Sequence, residues 1–313
     1  MVFFQALEGI FIIFFIVSIG YYLTKIGWIQ NEVLAFIPRL VNYVSLPAFT
    51  FWNITYLIGA DKLISIIYGI SVPVIALLLN LIIAVLLSNV LDLPHGQRGV
   101  FRAVCLCSNT VFIGIPVTLA LFGQEGVPYA LLYFLVNAVF FWTAGNYFIS
   151  KDGNSNVAHA KLFSISSMKN ILSPPLLALL FGVATLLFKI SFPDFLMNSL
   201  KYLGNMTIPL SLLFIGAVIF GANLKDIRFS KDIAAVIITR FVIAPSLVLL
   251  VAWFIPIPEI MKKVFVIQSA MPAMIQVTII AKVHGADAEY SAVLAALTTL
   301  FAAIAIPFYM VII

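Results

Sequence analysis

Charged side chains are scarce in this sequence. Its 313 residues include 17 Lys+Arg and 12 Asp+Glu, 9% of the chain, where a soluble domain carries about a quarter. So few charges cannot cover the surface of a water-soluble globule of this length. A cytosolic enzyme, a nucleic-acid-binding domain and a disordered regulator are excluded together. Cysteine is nearly absent as well. Cys105 and Cys107 are the only two, and helical residues two apart do not face each other, so neither a disulfide nor a metal clip is expected. The three histidines, His95, His159 and His284, are far apart and show no zinc spacing. HExxH, GxSxG, P-loop and GxGxxG runs are missing. The chain is therefore not expected to be an enzyme, and no cofactor or metal is expected.

What fills the sequence instead is apolar. Apolar residues are 63% of the chain, about 197 residues, against the ~200 that ten spans of ~20 residues require. The mean hydropathy of +1.16 agrees. The first apolar stretch has no basic lead-in and no small-residue cleavage site, so it reads as a span and not a signal peptide. Ten segments follow from the hydrophobic runs: 4–24, 34–57, 64–90, 99–122, 126–149, 170–188, 196–221, 232–255, 260–283 and 288–312. Most of the charges, 19 of the 29, fall between them. The longest polar stretch, 150–169, reads as a linker between two halves, 1–149 and 170–313.

Basic residues set the orientation. With the N-terminus outside, the inner side carries Lys25, Arg39, Arg98, Arg102, Lys151, Lys161, Lys169, Lys225, Arg228, Lys231 and Lys282. The outer side carries Lys62, Lys189, Lys201, Lys262 and Lys263. Both termini are thus expected outside a plasma or inner membrane, with the linker cytoplasmic. The net charge of +5 needs no nucleic acid to explain it.

The halves repeat. Arg39, Ser45 and Pro47 in span 2 match Lys201, Thr207 and Pro209 in span 7 at one offset. The same offset takes Gly20 to Gly182 and Gly123 to Gly285. Five spans per half is an odd number, so the second half enters the membrane inverted, as in secondary transporters. Spans 4 and 9 also differ from ordinary membrane helices. Ser108-Asn109-Thr110 precedes Gly114-Ile-Pro116, and Gln268-Ser269 precedes Met271-Pro272 and Gln276. Proline removes a helical donor and clashes with the preceding turn. The freed backbone must face protein or a wet cavity. Paired interruptions of this kind point to a transporter binding site, whereas a single proline kink is commonly structural.

These motifs resemble the auxin efflux carrier family, which includes the plant PIN-type carriers and bacterial permeases. Asn109-Thr110 with Gly114-Ile-Pro116 is similar to its fourth-helix motif. Gln268-Ser-Ala-Met-Pro272 with Ala281-Lys282 is similar to its ninth. Arg240-Phe241 with Pro245, Ser45-Leu-Pro47, and Asn137 ahead of Phe141-Trp142-Thr143 add to the likeness. The resemblance implies an all-α polytopic fold: ten transmembrane helices as two inverted five-helix repeats, with discontinuous helices 4 and 9 crossing at mid-membrane. Helices 1, 2, 6 and 7 would form a scaffold, and helices 3–5 and 8–10 a transport domain. The family moves organic anions. The short linker is unlike the long hydrophilic loop of the plant carriers and places the chain among compact bacterial-type members, which implies small carboxylates such as malonate, malate or lactate.

A carboxylate leaving water needs donors and positive potential, and helix N-termini at a break supply both. The candidate binding residues are Asn109, Thr110, Asn137, Gln276, Ser45 and Thr50. The resemblance places the last two on the scaffold across the site. Gly114, Pro116, Met271 and Pro272 are the candidate crossover residues. Each polar side chain has a plainer reading as an interhelical hydrogen bond, worth ~0.6 kcal/mol. Arg240, a base well inside a span, is either a counter-charge for anions, or it snorkels or binds the exposed carbonyls of a broken helix. No buried Asp/Glu relay is visible, which leaves the coupling ion open. The expected function is secondary transport of a small mono- or dicarboxylate by elevator-type alternating access. The expected partners are that anion and the lipid bilayer, with a homodimer left open. A sodium-coupled bile-acid-type carrier of the same fold is the alternative; a channel or membrane scaffold ranks lower.

Overall fold

A computed structural model of the chain describes residues 2–57, 68–153, 172–221 and 230–312. The expected linker lies outside the described residues from 154 onward, as do Asp61, Lys62, Lys225, Asp226 and Arg228. The first half contains α1 (Val2–Lys25), α2 (Asn31–Leu40), α3 (Leu46–Leu57), α4 (Ser71–Val90), α5 (Arg98–Leu106), α6 (Ile115–Phe140) and α7 (Asn146–Asp152). The second contains α8 (Pro174–Leu187), α9 (Asp194–Asn205), α10 (Thr207–Gly221), α11 (Lys231–Ile238), α12 (Ala244–Phe254), α13 (Glu259–Ser269), α14 (Gln276–His284) and α15 (Ala288–Ile312). Among the described residues the one departure towards β structure is a single antiparallel bridge, Ser108 to Ala273.

Among the described residues six helical runs are long and apolar enough to cross a membrane: Asn31–Tyr56, Ser71–Val90, Thr110–Asp152, Asp194–Gly221, Lys231–Phe254 and Ala288–Tyr309. Phe11–Lys25 and Pro174–Leu187 are shorter apolar helices. The segments expected at 99–122 and 260–283 are each interrupted midway, leaving the short α5 and α13 before the breaks. Gly123 has φ 60° and ψ −160°, a conformation that a Cβ disfavours, and it interrupts α6 between expected spans 4 and 5. Its counterpart at the repeat offset, Gly285, has φ 68° and ends α14 in a left-handed cap. Many large apolar side chains are exposed, including Phe11, Phe15, Val90 and Trp253. Water would penalise such a surface; lipid accommodates it. The chain is a multi-pass membrane protein.

Several helices widen into a π turn, which holds one residue more than an α turn. Three of these turns, Val41–Ser45, Thr110–Gly114 and Thr239–Ile243, end two residues before a proline: Pro47, Pro116 and Pro245. Proline cannot donate to the carbonyl four residues back, and its ring presses on that carbonyl. At Pro245 the carbonyl left over is that of Phe241, and the Tyr309 hydroxyl of α15 donates to it.

The described chain forms two compact units. The first comprises 1–68, 111–132 and 172–221. Within it α1 lies against α10 at Gly20 and Gly216. A Cβ on Gly20 would collide with the Leu213 carbonyl, and one on Gly216 with the Val17 carbonyl. Small residues at these positions let two backbones touch, which is how helices associate where no hydrophobic effect separates them from lipid. Gly182 of α8 lies against Ile54 of α3, and Gly204 of α9 against the backbone of Phe49. Each half thus lends a helix to the other: α1 to α10, and α8 to α3.

The second unit comprises 69–110, 133–171 and 222–313. Its core gathers Val100, Phe101, Val104 and Leu106 of α5 with Phe141, Val236, Val277 and Leu294. Gly99 packs against the Phe148 backbone, and the Asp152 carboxylate accepts a hydrogen bond from its N–H at 2.9 Å, capping the start of α5.

Candidate functional site

The two helix breaks meet inside the second unit. The Asn109 N–H donates to the Pro272 carbonyl at 2.8 Å, and the Met274 N–H donates to the Cys107 carbonyl at 3.2 Å. Together they make the antiparallel bridge between Ser108 and Ala273. The bridge pairs backbone groups that the broken helices cannot satisfy themselves and that lipid cannot satisfy at all.

Side chains complete what the bridge leaves over. Asn137, wholly buried on α6, accepts from the Ser108 N–H at 2.9 Å and donates to the Ser108 carbonyl at 3.0 Å. Thr298 on α15 holds the other strand: its hydroxyl accepts from the Ala273 N–H at 3.0 Å and donates to the Leu294 carbonyl at 2.7 Å. Helices that follow the break in each half therefore brace it in corresponding ways. Asn80 of α4 donates to the Cys105 carbonyl at 2.9 Å.

Arg240 is 0% exposed and sits where the C-terminal ends of α5 and α13 converge. Its Nε donates to the Met271 carbonyl at 3.1 Å. Its Nη1 donates to the Cys105 carbonyl at 3.1 Å. Its Nη2 donates to the carbonyls of Met271 at 2.6 Å and Ser269 at 2.9 Å, and to the Ser108 hydroxyl. A helix C-terminus carries about half a negative charge in unpaired carbonyls. Two such ends, plus the carbonyl of the break itself, make a seat for one cation.

The remaining expected residues are placed as follows. Asn109 and Thr110 lie in the first break, both buried, and the Thr110 hydroxyl has no hydrogen-bond partner among the described residues. Met271 and Pro272 form the second break, with Met271 wholly buried. Gln276, half-buried, begins α14. Its first-turn N–H groups are the positive end of that helix. The structure brings Asn109, Thr110, Asn137, Met271, Pro272 and Arg240 together around one bridge. Ser45, Thr50, Gly114 and Pro116 belong to the first unit. Ser45 and Thr50 are wholly buried there, as is Thr207, the repeat counterpart of Ser45, and none of the three hydroxyls has a hydrogen-bond partner among the described residues. Among the described residues no group of three His, Cys, Asp or Glu side chains could hold a metal ion.

Sequence reasoning passed over Asn80 and Thr298. A lone polar residue in an apolar helix signals a partner without saying which. The available signal for Thr298 was the repeat, which carries Asn137 to within one residue of it.

Broken, bridged helices in an apolar multi-pass chain define a membrane transporter, and the comparison with known proteins is consistent with that class. The model of the membrane transport protein family matches residues 5–310. The chain belongs to this family, that of the auxin efflux carriers. It is similar to an uncharacterized transporter of Methanocaldococcus jannaschii, 24% identical over 308 residues that cover 96% of each chain. It is also similar to an uncharacterized transporter of Methanothermobacter thermautotrophicus, 24% identical over 324 residues that cover 100% of each.

Proposed function

We propose that the chain is a secondary transporter of small organic anions, mono- or dicarboxylates, which bind at the bridged breaks. The observation that carries this reading is the backbone bridge between Ser108 and Ala273. It holds two helix starts, at Thr110 and Gln276, in one place with buried amide and hydroxyl groups beside them. Helix N-termini bind carboxylates through N–H groups and the dipole without a fixed counter-charge. Asn109, Thr110 and Gln276 supply side-chain donors to the anion, and Asn137 holds the strand that presents them. Arg240 contributes potential from behind the bridge, through the Ser108 hydroxyl, without touching the anion.

In this reading the fold is ten membrane helices in two inverted repeats. The matched positive-φ glycines 123 and 285 and the exchanged helices α1 and α8 support it. Helices 1, 2, 6 and 7, which are α1–α3 and α8–α10 of the first unit, are the scaffold. Helices 3–5 and 8–10 are the moving body of an elevator-type cycle; most of them lie in the second unit, while 111–132 from helices 4 and 5 pack with the first. Both termini face outward. Cysteines placed at Lys151 and Ile190 would then differ in labelling by an impermeant maleimide, with Ile190 reacting in intact cells and Lys151 protected. The reverse pattern overturns the orientation.

The functional test is uptake of radiolabelled mono- and dicarboxylates into proteoliposomes of purified protein. Saturable uptake, competed by related carboxylates and not by neutral analogues, is the expected result. Flux that does not saturate would identify a channel instead. No uptake of any carboxylate would remove the anion reading.

A further inference from the structure

Among the described residues Arg240 is a buried cation with no acidic partner. The ion pairs among them are Arg98–Asp92 and Lys262–Glu259, neither of which is buried. Its ligands are backbone oxygens of both breaks, from Cys105, Ser269 and Met271, and the Ser108 hydroxyl. Converging carbonyls at half-helix ends are the donor set with which broken-helix carriers coordinate a coupling cation, and rings of carbonyls replace the hydration shell of a monovalent ion elsewhere. Here the guanidinium fills that set. Its planar fork reaches carbonyls of two helices at once.

The side chain is also held in place from its own helix. Arg240 lies within the π turn Thr239–Ile243. Pro245 follows the turn, and the Tyr309 hydroxyl closes on the Phe241 carbonyl that Pro245 leaves unpaired. The widened turn is thus also braced by another helix, at a carbonyl that Arg240 does not touch.

We propose that Arg240 is a tethered cation. Its guanidinium occupies the seat at the bridged breaks where a carrier of this build would otherwise bind a coupling ion, so anion transport by this chain proceeds without Na⁺ at that position. The consequence for transport rests on the carrier reading above; the seat itself does not. With the cation covalently attached, the bridge keeps its shape whether or not an anion or an external ion is bound.

The test has two arms. In proteoliposomes, wild-type carboxylate uptake is expected to be the same in NaCl and in choline chloride, and uptake that disappears without Na⁺ overturns the proposal. In detergent, without any anion substrate, thermal unfolding is followed with added guanidinium chloride at low millimolar concentration. Arg240→Ala is expected to unfold at a lower temperature than wild type and to regain stability saturably with guanidinium, whereas wild type gains none. No regain overturns the proposal. Should Arg240→Ala fail to fold, Arg240→Lys and Arg240→Met decide. The seat requires charge and not bulk, so Lys is expected to unfold at the higher temperature, and Met equal to or above Lys overturns it. If wild type takes up no carboxylate in either salt, the carrier reading fails while the unfolding arm still decides the seat.

Discussion

The side-chain amide of Asn137 grips both backbone polar groups of Ser108, accepting from its N–H at 2.9 Å and donating to its carbonyl at 3.0 Å. A strand would do the same to its neighbour, so one side chain stands in for a third strand beside the bridge. Replacing Asn137 with Ala leaves the buried Ser108 N–H unpaired, at about 1–3 kcal/mol, while the Ser108 carbonyl keeps the Thr110 N–H as a donor at 2.9 Å. Asn137→Ala is expected to lower the unfolding temperature in detergent clearly, and to do so without any substrate present. An unfolding temperature equal to wild type would show that water replaces the amide.

Asn109 stands beside that grip, and its role in the proposed function is separate from its role in the fold. A charged hydrogen bond to a partly desolvated carboxylate contributes ~1.5–3 kcal/mol, or roughly 10- to 150-fold in affinity. Asn109→Ala is therefore expected to weaken carboxylate binding within that range while its backbone N–H still bonds Pro272. Isothermal titration of purified protein measures it. A change under about twofold takes Asn109 out of the site.

The prolines test the breaks themselves. Pro116→Ala and Pro272→Ala each restore a backbone donor and relieve a clash; Pro272→Ala favours a more continuous helix across the second break, and Pro116→Ala favours α geometry in the π turn Thr110–Gly114 that follows the first. Folding should survive, because a straighter helix is no harder to keep in lipid. Transport should fall for every accepted anion, because N–H groups that cradled it become bonded along the helix. Selectivity that changes at a preserved rate would mark these prolines as pocket walls, and wild-type flux in both variants would mark them as ordinary kinks.

A fourth expectation concerns the first unit. Gly216→Ala sets a methyl group against the Val17 carbonyl, which belongs to rigid backbone. Overpacking of this sort costs about 1–3 kcal/mol or more. Gly221→Ala, with nothing within 4 Å of the added carbon, is the matched control and should be neutral or slightly stabilising. Equal unfolding temperatures for the two variants would mean that α1 and α10 slide apart at little cost.

The places where helices stop were legible in the sequence because their causes are local. Pro272 sits in the second break and Asn109 in the first, and glycines 123 and 285 carry the positive φ at which α6 is interrupted and α14 ends; Pro116 lies beyond the first break, in the helix that follows it. What bonds to what was not legible. Nothing in the run around Thr298 announces that its hydroxyl meets the Ala273 N–H, and Asn80 shows no sign of reaching Cys105, because those contacts depend on which helix faces lie together. Arg240 stood between two readings for the same reason. Its position within a span was visible, but the carbonyls that surround it come from segments far along the chain. The π turn Phe141–Gly145 has no proline two residues after it, and no physical cause in its own sequence is evident.

The bridge also imposes an order in time. A ribosome adds roughly 5–20 residues per second, so on the order of ten seconds separate the emergence of Ser108 from that of Ala273. During that interval the Asn109 N–H and the Cys107 carbonyl have no strand to meet and must be served by water or by the insertion machinery. Ser108 waits far less, because Asn137 follows it by only 29 residues. The Ser108–Asn137 pair therefore needs nothing from the second half of the chain, whereas the bridge to Ala273 does.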